Sequence, residues 1–207
     1  MPFKNWIGED KMLQRYSEQL TEFLMVKGII ESENREIYEY GFVALLSTVI
    51  NIIIVLTIGI TAGIFLETII FMFMFGILRV YCGGYHAESH ITCMLMFIGI
   101  YGLAMTVVKF LPREACGIFS VLAGVISFVF ILFLAPIEHK NKPFIGDEYS
   151  KFRTISRIIA ALELMAIFLI TVLFSETIKV AVLISLAMLG VTFILILAKI
   201  EGKKEVK

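Results

Sequence analysis

Apolar and polar positions alternate along this chain in long blocks. Six apolar runs occupy residues 41–60, 64–78, 91–108, 115–136, 158–174 and 178–198. Crossing the hydrocarbon core of a bilayer takes ~20 residues, with a range of about 17–25. Most of the runs reach that length. The run at 64–78 is short and carries Glu67; it becomes long enough only if Val80–Cys82 extend it. The pattern predicts an all-α, polytopic membrane protein with six transmembrane helices.

The first forty residues follow a different rule. Met12, Leu13, Tyr16, Leu20, Phe23 and Leu24 recur at helical spacing, with charged residues between them. This predicts an amphipathic helix over 10–27, closed by Gly28 and lying on the bilayer surface. Ser32 is placed to cap a helix that continues into the first span. No short apolar core follows Met1, so no cleavable signal peptide is expected. With no internal repeat or low-complexity linker, the chain reads as one integral-membrane domain over 1–207. Its parts are an amphipathic region (1–40), a transmembrane region (41–198) and a tail (199–207).

Composition agrees with this class. Of 207 residues 59% are hydrophobic, and the mean hydropathy is +0.91. A soluble domain is nearer half apolar and a quarter charged. Lys plus Arg and Asp plus Glu both number 18, so charge suggests no nucleic-acid partner. Three cysteines, Cys82, Cys93 and Cys116, do not read as a disulfide framework. Charge placement sets orientation. The N-terminal region holds Lys4, Lys11, Arg15, Lys27 and Arg35, the 59–63 turn none, the Arg79–His90 connection Arg79, the next connection Lys109 and Arg113, the 140–157 loop Lys140, Lys142, Lys151, Arg153 and Arg157, the turn near Ser175 Lys179, and the tail Lys199, Lys203, Lys204 and Lys207. Under the positive-inside rule both termini and the Arg79–His90 connection are cytoplasmic.

That connection holds the candidate chemistry. It reads Arg79-Val-Tyr-Cys-Gly-Gly-Tyr-His86-Ala-Glu-Ser-His90-Ile-Thr-Cys93, a polar insert broken by glycines between two spans. Ionisable groups at a membrane boundary are costly and are functional candidates by default. A cysteine nucleophile needs a base or a favourable field. Cys93 falls in the first turns of a helix, where a thiolate meets the positive end of the helix dipole. His86 lies seven residues earlier, or about 10 Å along a straight helix. Proton transfer between them therefore requires the chain to bend, and Gly83-Gly84 permit a bend upstream. Two other readings stay open from the residues alone. Cys82, His86, His90 and Cys93 carry donors that zinc favours, although they are strung along one segment. A cysteine in a helix is also often just a small apolar side chain.

The order Arg79-x4-Gly84-x-His86-x6-Cys93 resembles the active-site signature of the accessory gene regulator B family, bacterial membrane cysteine endopeptidases of quorum sensing. The segment Ala135-Pro136-Ile-Glu-His-Lys-Asn-Lys-Pro143 resembles the loop between that family's middle spans. Length, the polar N-terminus and the number of apolar runs fit as well. The resemblance implies that Cys93 is the nucleophile and His86 the base. It implies that Gly84 shapes the turn, and that Arg79 orients the loop or binds a substrate carboxylate. The other reading of Arg79 is a positively charged anchor at the end of a span.

The implied activity is removal of the C-terminal tail from a pro-peptide and release of a cyclic thiolactone or lactone signal. No cofactor and no metal are implied. The partners are the pro-peptide and the lipid bilayer of the bacterial cell membrane. Lys140, Lys142, Lys151 and Arg153 are placed either to hold an acidic tail or simply to fix topology. Glu163 is a weak candidate for a third catalytic group, and small residues such as Gly99 and Gly102 allow a homodimer. The alternative function is a membrane transporter or metal-binding protein using the His/Cys segment.

The charge pattern makes a direct prediction. In intact cells, an impermeant maleimide will label a single cysteine at Ser175→Cys and spare one at Glu88→Cys until the membrane is permeabilised. The reverse labelling would invert the topology.

Overall fold

The computed structural model describes residues 11–83, 90–137 and 146–204. These residues form helices α1 (Lys11–Val26), α2 (Arg35–Thr61), α3 (Phe65–Cys82), α4 (His90–Phe110), α5 (Arg113–Leu134), α6 (Glu148–Leu173) and α7 (Ile178–Lys204). Short 3-10 turns occupy Ser32–Asn34 and Ser175–Thr177. Among the described residues there is no strand, only an isolated bridge between Gly83 and Ile137. Six helices, α2 to α7, are long and apolar enough to cross a membrane. The expected class is therefore the observed one.

The boundaries move for physical reasons. α3 does run through Cys82, giving 18 residues, or about 27 Å at 1.5 Å per residue. α5 stops at Leu134, because the residue before Pro136 is pushed to extended backbone; Ala135 has φ −85° and ψ 147°. α6 begins at Glu148, ten residues before the apolar run it contains. Its first turns are amphipathic, so a hydropathy run cannot register them. Ser32 is not the cap expected of it. Glu31 takes that position in extended conformation, without a side-chain cap bond, and Ser32 opens the 3-10 turn.

The chain divides into two compact units, 1–58 with 87–99, and 59–86 with 100–207. In the first unit α1 ends as its pattern predicts. Gly28 adopts φ +71° and donates to the Met25 carbonyl at 2.9 Å, while the Ile29 amide reaches the Leu24 carbonyl at 3.0 Å. This paired closure needs a left-handed residue, which glycine supplies. The face that α1 buries is small and polar. Ser17 and Thr21 are buried, and the Ser17 hydroxyl donates to the Glu39 carbonyl of α2. Met12, Tyr16, Leu20 and Phe23 stay exposed.

The second unit is organised around α7. The most apolar stretch of α7 is 72% buried, against 28% or less for each of the other five spans. α7 packs on α3, α5 and α6, and α6 also packs on α3 and α5. Such a central helix must be apolar all round. α7 carries no charge between Lys179 and Lys199, and Ala181 to Met188 are buried without interruption. Its small residues allow close approach. A Cβ added at Gly190 would stand 2.8 Å from Ile100 Cγ2 and 3.2 Å from Phe75 Cε2. Nearby, Thr68 of α3 and Tyr101 of α4 share a buried hydroxyl–hydroxyl bond of 2.7 Å. Phe71 and Tyr101 meet edge-on, with centroids 5.9 Å apart.

Overpacking a close-packed interior costs about 1–3 kcal/mol. Gly190→Leu is therefore expected to destabilise the protein by that amount in detergent unfolding. Gly99→Leu, where an added Cβ meets nothing within 4 Å, should leave stability near wild type.

Candidate active site

Cys93 occupies the first turn of α4, as its position in the sequence predicts. It is a free, half-buried thiol, whereas Cys82 and Cys116 are free and buried. The Cys116 thiol is spent on its own helix start, 3.4 Å from the Pro112 carbonyl. Of the three cysteines only Cys93 retains access. Gly84, His86, Lys140 and Lys142 lie outside the described residues.

The second unit builds the approach to that segment from the end of α3. Arg79 stands in the last turn of α3, and its guanidinium Nη1 donates to the Gly83 carbonyl. A cation at a helix C-terminus also meets the negative end of the dipole. Arg79 thus holds the residue immediately before Gly84. Gly83 itself has φ +65° and ψ −142°, a conformation open to glycine alone. Its amide donates to the Arg79 carbonyl at 3.2 Å. A Cβ at this position would also run into the Ile137 carbonyl oxygen.

Ile137 closes the arrangement. Its amide donates to the Cys82 carbonyl at 3.0 Å, which makes the bridge between Gly83 and Ile137. The chain leaving α3 and the chain leaving α5 after Pro136 are pinned side by side. They belong to the two segments that the sequence singled out, and the bridged residues Gly83 and Ile137 are 54 apart by numbering. Sequence reading missed Ile137, since an apolar residue beside a proline carries no signal of a main-chain pairing.

α6 anchors the same end. Phe152 packs on Tyr81 of α3, with ring centroids 5.6 Å apart, and Lys151 and Arg153 on either side of it are exposed. Arg157 Nη2 donates to the Leu132 carbonyl of α5 at 2.9 Å, and so satisfies an orphan carbonyl in the last turn of that helix. Glu163 lies deeper in α6 and is 5% exposed. Neither of its carboxyl oxygens has a hydrogen-bond partner among the described residues. Among those residues no group of three or more His, Cys, Asp or Glu side chains could hold a metal ion.

This fold and this chemistry define a multi-pass α-helical membrane protein with one accessible thiol at the start of a span. Over residues 17–197 the chain matches the family Accessory gene regulator B, and it belongs to that family. It is 36% and 35% identical to AgrB-like proteins from two type A strains of Clostridium perfringens, each over 146 residues that make up 68% of either chain. An AgrB-like protein of Listeria innocua is 26% identical over 113 residues, 55% of this chain and 54% of its own. No solved structure matches the chain significantly. The family supports a role in agr quorum sensing and suggests a processing enzyme there.

The geometry at Gly83 can be tested alone. Gly83→Ala is expected to lose about 1–3 kcal/mol of stability from backbone strain. Gly76→Ala, in the open interior of the same helix, should be neutral or stabilising. Equal unfolding midpoints for the two variants would contradict the bridge.

Proposed function

We propose that this protein is a membrane cysteine endopeptidase that removes the C-terminal tail of a quorum-sensing pro-peptide and cyclises what remains. The observation that carries the reading is the coincidence of three facts. The chain belongs to the accessory gene regulator B family, it carries Arg79, Gly84, His86 and Cys93 in the family's order, and Cys93 is its one accessible described thiol.

The chemistry follows from the groups. His86 takes the proton of the Cys93 thiol, and the sulfur attacks the carbonyl carbon before the tail. The peptide C–N bond breaks, the proton passes from His86 to the leaving amine, and an acyl thioester remains on Cys93. An internal cysteine thiol of the peptide, or a serine hydroxyl, then attacks that carbonyl. The new C–S or C–O bond closes the ring, the acyl carbon–sulfur bond to Cys93 breaks, and the proton released returns to the Cys93 sulfur.

For a thiol, the second step exchanges one thioester for another and is nearly balanced. The first step makes a reactive thioester from a stable amide and runs uphill. Product therefore accumulates only if water is kept from the acyl-enzyme and if the tail or ring is removed. A site at the membrane boundary excludes water, and a peptide folded with its thiol at the carbonyl gains a high effective concentration.

The reading extends to the partners. Lys151 and Arg153, exposed on the first turns of α6 beside the end of α3, suit an acidic tail. The exposed apolar stripe of α1 suits a bilayer surface. Both termini and the catalytic segment are assigned to the cytoplasmic side of the bacterial cell membrane, on the charge pattern.

The experiment is co-expression with a candidate pro-peptide, read by mass spectrometry of cleaved and cyclic products. Cys93→Ala and His86→Ala should each abolish both products while membrane insertion persists. Cys82→Ala and Cys116→Ala should retain them. Normal processing by a well-folded Cys93→Ala protein would end the assignment.

A further inference from the structure

We propose that Glu163 and Ser127 form a site for a small monovalent cation, a proton or Na+, between α5 and α6. Three observations lead there. Glu163 is 5% exposed, and Oε1 and Oε2 both lack a hydrogen-bond partner among the described residues. Ser127 is 0% exposed, and its Oγ lacks one as well. The two residues stand at one level of the antiparallel pair.

The third point comes from fixed contacts. A Cβ at Gly124 of α5 would meet Leu164 Cδ1 at 3.2 Å and Ile167 Cδ1 at 2.8 Å in α6. Nearer the other end of the pair, Arg157 reaches the Leu132 carbonyl at 2.9 Å. Ser127 lies between Gly124 and Leu132, and Glu163 lies between Arg157 and Ile167. Both belong to the buried faces of their helices, Ser120, Gly124, Ser127 and Ile131 on α5, and Ser156, Ala160, Glu163 and Ile167 on α6.

A carboxylate in such a place cannot remain bare. Burying a charge without a partner is among the costliest acts in a fold, and more so at membrane depth. Among the described residues no salt bridge to it is formed. The buried faces of α5 and α7 carry hydroxyls and the Cys116 thiol as their polar groups, including Thr192, whose Oγ1 is also unpartnered among the described residues. Arg157 on α6 donates through Nη2 to Leu132 while its Nε has no partner among the described residues, and Arg79 on α3 donates to Gly83.

One positive charge neutralises the carboxylate, and the Ser127 hydroxyl supplies a second oxygen. A divalent ion would leave a surplus charge and demands a larger oxygen set. The inference is independent of the peptidase reading, since it concerns a different pair of residues and a different ligand.

The test uses the purified full-length chain in lipid nanodiscs and dicyclohexylcarbodiimide, an apolar reagent for protonated carboxyls, with adducts mapped by peptide mass spectrometry. The expected result is an adduct at Glu163 whose rate falls several-fold as the pH of a choline chloride buffer is raised. Replacing choline by Na+ at constant pH will slow labelling several-fold further if Na+ is the occupant, and will not change it if the occupant is the proton. Ser127→Ala should shift the protecting Na+ concentration, or the pH midpoint, several-fold. Glu163→Gln removes the adduct; should that variant fail to fold, the wild-type map carries the same information. The proposal is overturned by any of three results. These are no adduct at Glu163 while Glu67 reacts in the same sample, a rate indifferent to both pH and Na+, or an unshifted response in a folded Ser127→Ala protein.

Discussion

Everything in the larger unit depends on how α7 is enclosed. Lipid tails are as apolar as leucine, so burying one more leucine among helices gains little over leaving it in the bilayer. What gathers α3, α5 and α6 around α7 is close contact, and close contact requires small residues. Ala181, Ala187 and Gly190 supply them on α7, and Gly124 does so where α5 meets α6. Each helix satisfies its own backbone internally, the condition for crossing a bilayer at all. Loss of tight packing at Gly190 would loosen Phe75 and Ile100, and with them the helix that leads to Arg79.

The end of α3 converts that packing into a defined geometry for the polar segment. Arg79 holds the Gly83 carbonyl, Ile137 holds the Cys82 carbonyl, and Phe152 holds Tyr81. Three different elements fix three consecutive residues. Helix ends normally leave carbonyls without partners. Here those orphan groups are the attachment points that bring the chain after Pro136 beside the chain before Gly84.

Much of this was legible in the residues. Six spans follow from apolar length, and α1 with its Gly28 ending follows from helical periodicity and glycine chemistry. The candidate thiol follows from its place at the start of a span and from the spacing Arg79, Gly84, His86, Cys93. These features are local: one helix turn, one dihedral or one run of hydropathy determines each. The amphipathic start of α6 was missed because hydropathy averages over polar and apolar faces. The capping role expected of Ser32 is not filled by a side-chain bond: Glu31 stands at the N-cap of the 3-10 turn in extended conformation, and Ser32 lies inside the turn.

Other features belonged to the fold alone. That α7 rather than another apolar helix is the centre depends on which helices meet, and all six spans look alike in composition. That Ser17 and Thr21 face inward while the apolar stripe of α1 faces out inverts the rule for a soluble protein, because the surroundings of a membrane protein are themselves apolar. The pairing of Gly83 with Ile137, and the close approach of Gly124 to Leu164 and Ile167 across two helices, join residues far apart in the chain through backbone and buried groups. A sequence specifies such long-range meetings only through the sum of its packing, so it determined which residues were available, and the tertiary structure decided which of them touch.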